Sequence, residues 1–448
     1  MPNDTNANSD ARKNTVNNQA LRPAQDGMPD ALMTPANAPA NAPANAPVNA
    51  PRLPASIYVI GAVSMLNDFA TEMVTPLIPI LLATTLAAGP VVLGLIEGLA
   101  NAVASFVQLG SGRFSDARGG KRKPLAVAGY LVSNLMRPLI VLATLWWHVV
   151  LIRSLDRVGK GLRNAPRDAL ITDLAPPSLR GRAFGIHRAF DNLGAVGGAL
   201  IGALVMIVFS ANLKDIVLLS VLPGLLCVAL LAFGVREPVK NTPATPMKWR
   251  LNWADVPTSM RGYLFTVMLF TFSRTAELFI VLRAHELGAS TAHALLLWAA
   301  LNFVKIFANV GGGILADRYG RFALLVPGWA LHSAAMLGFC FVDSIFTLWW
   351  AVIFFGFAMS VSEGVERAVI GEHAGLEARG TLFGWYYALV GLASIPAGLV
   401  LGWLWQTAGA VTAYGFAAAV GLMATLILQF GVVPRIARDR VQSQAGSS

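Results

Sequence analysis

From Ile57 onward the chain is a succession of apolar stretches, each long enough to cross a bilayer, and this limits the possible folds more than any other feature. The stretches fall at about 57–86, 91–112, 123–145, 147–172, 183–209, 214–234, 263–284, 292–315, 322–342, 346–371, 382–406 and 411–433. Twelve such segments cannot all hide from water in one soluble core: 55% of the side chains are hydrophobic, 13% are charged, and the mean hydropathy is +0.58. Soluble chains carry about a quarter charged residues, so lipid must be the solvent for much of this one. Inside lipid a helix satisfies its own backbone, which predicts an all-α membrane protein of twelve transmembrane helices.

The formal net charge is +10, a value that in a soluble protein would raise the question of nucleic acid. Here the basic residues sit in short loops on one side of the spans, so no nucleic-acid partner is expected. Arg113, Arg118, Lys121, Arg122 and Lys123 follow the second span, Arg180 and Arg182 the fourth, and Arg236, Lys240, Lys248, Arg250 and Arg261 the sixth. Arg318 and Arg321 follow the eighth, Arg379 the tenth, and Arg435, Arg438 and Arg440 the twelfth, while the other side offers little beyond Lys214 and Arg283. Basic loops stay cytoplasmic, which places both termini inside and makes the number of spans even. The expected location is the plasma membrane, as in the inner membrane of a bacterium.

Residues 1–54 form a Pro/Ala/Asn-rich stretch in which Pro35, Pro39, Pro43, Pro47 and Pro51 recur every fourth residue. Such spacing forbids helix and buries nothing, so a disordered cytoplasmic tail is predicted there, with Met28 and Met33 as alternative starts. Cys227 and Cys340 lie in apolar runs and read as small packing residues, with neither a disulfide nor a Cys-rich metal module in prospect.

The sequence then repeats itself about 200 residues further on. Gly112-Arg-Phe-Ser-Asp116-Ala-Arg-Gly119 matches Gly313-Ile-Leu-Ala-Asp317-Arg318-Tyr-Gly320, Arg180-Gly181-x-x-Phe184-Gly185 matches Arg379-Gly380-x-x-Phe383-Gly384, and Asn101 matches Asn302. Two parallel six-helix halves are implied, 55–234 and 263–434, joined by a polar cytoplasmic linker at 235–262 and followed by a short tail at 435–448. Parallel repeats are a transporter plan, with the solute held between the halves near the midplane.

The doubled G-x-x-x-D-x-x-G pattern resembles the loop signature of the major facilitator superfamily (MFS), and the resemblance extends over residues 55–434. It implies the MFS fold, a secondary transporter working by alternating access, and a gating role for Gly112, Asp116, Gly119, Gly313, Asp317, Arg318 and Gly320. Read physically, the glycines permit close helix approach and the Asp caps a helix or pairs with an Arg; a plain turn flanked by cytoplasmic basic residues is the simpler alternative.

Charges at bilayer depth cost roughly 2.5–3.5 kcal/mol each on insertion scales, so they are functional candidates. The fourth span is densest: Asp156, Lys160, Arg163 and Arg167 share one helical face, with Arg157, Asn164 and Asp168 beside it. Such a stripe must face a watery cavity or paired charges. The family pattern R-x-x-Q-G-x-G aligns to Arg157, Lys160 and Gly161, with Lys160 replacing Gln and Arg163 replacing the last Gly. The tenth span, repeat partner of the fourth, carries Glu363 and Glu366 at the positions of Lys160 and Arg163. The first carries Asp68 and Glu72, and the seventh Arg274 and Glu277. In the family, spans one, four, seven and ten line the central path. The mixed signs favour an organic anion or zwitterion, with Asp68, Glu72 or Glu277 as proton carriers; charges that merely latch one conformation shut are the competing reading.

Other polar sets are less specific. Glu97, Asn101 and Gln108 share one face of the second span, and Asn302, Lys305 and Asn309 one face of the eighth. His187 and Asp191, four apart, form a candidate structural pair. Gly185, Gly194, Gly198 and Gly202 partly reproduce the family's exporter glycine pattern, which tilts the direction toward efflux. His332 and Met336 have the spacing of a soft-metal pair but lack a further thiolate or thioether, so no metal is expected. No P-loop, H-E-x-x-H or G-x-S-x-G occurs, so neither ATP binding nor an enzyme is implied and no cofactor is expected. Partners are then a small solute, protons and lipid, for a chain acting as a monomer. The alternatives are a non-cycling sensor or assembly factor, and proton-coupled uptake of a metabolite or metal.

Overall fold

The computed structural model describes residues 53–117, 121–176, 179–237, 252–373 and 379–445, all within one compact unit. The described residues of the gating and linker segments therefore exclude Gly119 and 238–251, and the side chains of Gly112, Asp116 and Asp317 also lie outside the description.

Every regular element among the described residues is helical. The first half contains α1 (Ala55–Thr84), α2 (Pro90–Ala117), α3 (Lys123–Leu142), α4 (Trp146–Leu174), α5 (Arg180–Phe209) and α6 (Leu213–Gly234). The second contains α7 (Thr258–Glu286), α8 (Thr291–Tyr319), α9 (Arg321–Phe339) and α10 (Ile345–His373). A last helical run breaks at Gly409, whose φ of 84° no L side chain adopts readily, and this divides α11 (379–408) from α12 (410–445). Ten runs are long and apolar enough to cross a membrane, with α11 and α12 counted as one of them and α4 excluded by its charges. Dividing that last run and adding α4 gives the twelve crossings expected.

Local chemistry fixes the ends. Asn212 and Asp215 form a reciprocal capping box at the start of α6, and Ser290 caps α8 by accepting from the His293 N–H. Gly320 turns the chain from α8 into α9 with φ 95°, so the last glycine of the second repeated motif is a conformational requirement. Gly313 meets nothing within 4 Å, whereas its neighbour Gly312 places α8 against α10, where an added Cβ would come 2.5 Å from the Val361 carbonyl oxygen. Close approach thus belongs to Gly312, one residue away from the motif position expected to provide it.

Three apolar clusters show how the halves meet. One joins both halves at the end remote from the chain termini, running from Met73–Leu82 of α1 through Ala276–Ala284 of α7 to Leu401 and Trp405 of α11. The other two lie nearer the termini and are confined to one half each, Ile57 to Val235 in the first and Val256 to Ile436 in the second. The molecule is therefore sealed at one end and divided at the other. The seal includes an α2–α11 crossing where Gly94 and Gly398 touch backbone to backbone: a Cβ on Gly94 would lie 1.9 Å from the Gly398 carbonyl oxygen. Gly98 meets Ser394 and Gly402 meets Pro90 along the same seam.

Candidate functional site

The path between the halves is lined by charge, but not in the arrangement the repeat suggests. Asp156 does not face the path. It is 2% exposed and is the centre of an arginine cluster inside the first half, with Arg137 Nε at 3.5 Å, Arg153 Nη1 at 3.6 Å and Arg157 Nε at 3.9 Å. Arg153 also reaches Glu97 of α2 at 3.2 Å, and Arg137 donates to Asn67 Oδ1 at 3.0 Å and Asn134 Oδ1 at 2.8 Å. Arg163 likewise points into the half, donating to Ser133 Oγ at 2.6 Å with its guanidinium 4.8 Å from the Tyr130 ring centre. Much of the α4 stripe is thus spent in holding α4 against α2 and α3.

That interior is not neutral. Between α2, α3 and α4 four arginines are buried, Arg137, Arg153, Arg157 and Arg163, against two carboxylates, Glu97 and Asp156. Arg157 makes no hydrogen bond among the described residues and leaves its Nε unpartnered. One turn further on, half-buried Lys160 has no ion-pair partner among them, although the charges of Arg157, Arg163, Asp68 and Glu72 all act on it. Among the described residues Asp68 is hydrogen-bonded by its neighbour Asn67 alone, at 3.0 Å. Arg157 and Lys160 thus present two adjacent cations whose mutual repulsion no nearby carboxylate fully offsets.

The second half pairs its charges internally. Glu366, 1% exposed, binds Arg274 of α7 and accepts from the Tyr386 hydroxyl of α11 at 2.7 Å, while Tyr263 donates to the Glu366 carbonyl at 2.8 Å. Glu277 pairs with Lys305 of α8, and Glu363 with Arg367 at 3.5 Å on its own helix. Glu366 therefore does not meet Arg163, and Glu363 does not meet Lys160; equivalent repeat positions carry opposite charges, but Glu363 and Glu366 are paired within their own half. Among the described residues the charged groups make one short side-chain bond across the halves, from Trp298 Nε1 of α8 to Glu72 Oε2 of α1 at 2.6 Å, on the edge of the shared apolar cluster.

At the divided end, Arg122 binds Asp173 of α4 and, through its backbone N–H, Glu237 beyond α6; Lys123 Nζ donates to the Val235 carbonyl at 2.7 Å. The first motif's basic residues thus lie on their own half. In the second, Arg321 pairs with Glu372 at 2.7 Å, while Arg318 is exposed and lies over the Tyr319 ring at 5.3 Å. His187 and Asp191 stand 3.6 Å apart near the start of α5.

Sequence reasoning missed Arg137, Arg153, Trp298 and Tyr386. The two arginines carried a usable signal, charge inside a span. Trp298 and Tyr386 carried none, because an aromatic in an apolar run looks the same whether or not its polar tip is engaged.

Two parallel helical bundles around a charged path define a membrane transporter. Residues 60–281 and 263–447 each match the family model described as Major Facilitator Superfamily, and the chain belongs to that family. It is 30% identical over 384 residues to an uncharacterised MFS-type transporter of Methanocaldococcus jannaschii, covering 84% of this chain and 95% of that protein. It is 28% identical over 330 residues to the multidrug resistance protein MdtH of Photorhabdus laumondii, covering 71% and 79%. Among solved structures, a bacterial homologue of the human lysosomal transporter Spinster, inward-facing and unoccupied, superposes with TM-score 0.63 at 16% identity, covering 85% of this chain and 95% of that one. The protein is accordingly a secondary transporter of small molecules and not an enzyme.

Proposed function

We propose that the protein is a proton-coupled exporter of an organic anion or zwitterion, bound between the halves against Arg157 and Lys160. The observation that carries this is the surplus of cations around α4. A cation at bilayer depth without a close ion-pair partner, as at Lys160, is costly to hold, and an anionic solute at this point offsets that cost. The acidic residues around the same path, Asp68, Glu72 and Glu277, are the proton carriers of this reading. Efflux is supported by the likeness to MdtH, named for multidrug resistance, and by the partial exporter glycine pattern at Gly185, Gly194, Gly198 and Gly202.

On the loop-charge rule the divided end is cytoplasmic, so this conformation is open to the cytoplasm and sealed outside. That is the loading state of an exporter. Glu72 and Trp298 act as the latch on the sealed side, and the repeated G-x-x-x-D-x-x-G loops engage when the cytoplasmic end closes.

The test is pH-gradient-driven transport in proteoliposomes. Asp68→Asn and Glu277→Gln should each uncouple solute movement from the gradient. Transport left intact by both substitutions contradicts the proton-carrier assignment, and intact transport in Lys160→Gln contradicts the anion site.

A further inference from the structure

A small cavity opens within the second half, away from Arg157 and Lys160. Phe270 and Arg274 of α7, His332 of α9, and Met359, Ser362, Glu363 and Glu366 of α10 line it. Phe270, His332, Ser362 and Glu366 are buried and form its floor, whereas Arg274, Met359 and Glu363 are partly exposed and form its mouth. It has room for about one water molecule.

His332 is the unusual member. It is 1% exposed, packed between the rings of Phe270 and Phe355 with centroids at 5.1 and 5.5 Å. Its ring hydrogen-bonds the Ser273 backbone, and its Nε2 is buried with no partner. The bonding nitrogen is therefore Nδ1. In the neutral ring, a hydrogen on Nδ1 leaves a bare acceptor lone pair at Nε2. Leaving such an acceptor unmet is unfavourable, so a donor must complete it. Full burial of Met336 in the apolar cluster leaves the soft-metal spacing unused, and no group of three His, Cys, Asp or Glu side chains among the described residues could hold a metal ion.

We infer that this cavity is a second substrate subsite, which takes an uncharged hydrogen-bond donor, a hydroxyl, at the end of the solute remote from its anionic group. The charges at the cavity are paired, Arg274 with Glu366 and Glu363 with Arg367, so a further ion gains nothing there. A hydroxyl fits the space of one water and donates to His332 Nε2. The site rests on the proposed anion site, because the anionic end is what brings the solute to the path. The two halves then grip opposite ends of one molecule, the cations of α4 at one end and His332 at the other.

The test measures binding by intrinsic tryptophan fluorescence, on the purified full-length protein, for straight-chain ω-hydroxycarboxylates of increasing length and for the alkylcarboxylates with methyl in place of hydroxyl. At the length that spans both sites the hydroxy acid should bind about tenfold more tightly than its methyl counterpart. His332→Leu should abolish that preference while leaving the alkyl acids unchanged. Met359→Phe, which plugs the mouth without touching His332, should do the same and guards against a folding defect in the first variant. Lys160→Gln should weaken both series equally. Alkyl acids that bind with no hydroxyl preference at any length overturn the subsite alone, as does a preference that survives in both cavity variants. Failure of every carboxylate to bind overturns the anion site and the subsite with it.

Discussion

Asp156 and Lys160 sit one turn apart on α4 and read alike in sequence, as acid and base in an apolar span, yet their surroundings predict opposite behaviour. Asp156 is the counter-ion of three arginines. Asp156→Ala leaves Arg137 and Arg157 without a carboxylate and Arg153 with Glu97 alone, and should destabilise the protein by about 3–5 kcal/mol, read as a lowered thermal midpoint in detergent. Lys160 has like charges beside it and no ion-pair partner among the described residues. Lys160→Gln should leave the midpoint unchanged or raised, while weakening binding of an organic anion by at least about tenfold. Sequence alone could not separate the two. Helical spacing places both on one stripe, but the angle between Asp156, buried toward α3, and Lys160, at the path, is set by how α4 packs. The same limit hid Arg137, a lone charge beside Pro138 in an otherwise apolar span.

At the scale of elements, the repeated sequence made much of the architecture legible. Hydrophobic length gave the spans, 147–172 among them in spite of the charges on α4, and the doubled motif gave two parallel halves. What the repeat could not give was the seam. Gly94, Gly98, Gly398 and Gly402 look like ordinary span glycines, and only the folded chain brings α2 and α11 into backbone contact there. Gly398→Leu has no space at that crossing and should force the sealed end apart. Trp298→Phe removes the donor to Glu72 and should loosen the same end by about 1–3 kcal/mol. Both variants should increase thiol labelling of a cysteine placed at Ala284, which is fully buried in the seal, from the side of the membrane remote from the termini. Labelling unchanged in both would mean that this seam does not control opening.

For the whole molecule, one sealed and one divided end are what alternating access requires of a two-bundle transporter caught in one of its states. In the sequence all four path-lining spans carry charge, the fourth most densely. The folded chain distributes the work unequally: in the first half buried arginines outnumber carboxylates and Lys160 has no ion-pair partner among the described residues, while the second half pairs its charges, and this asymmetry is what favours an anion in the proposed reading. The most direct measurement is solute and proton flux in proteoliposomes under an imposed pH gradient, across a panel of organic anions and zwitterions, for the wild type and Lys160→Gln. The account predicts gradient-dependent movement of at least one anionic solute, lost when a protonophore collapses the gradient and lost in Lys160→Gln. Absence of flux for the whole panel, or flux indifferent to both the gradient and Lys160, would contradict it.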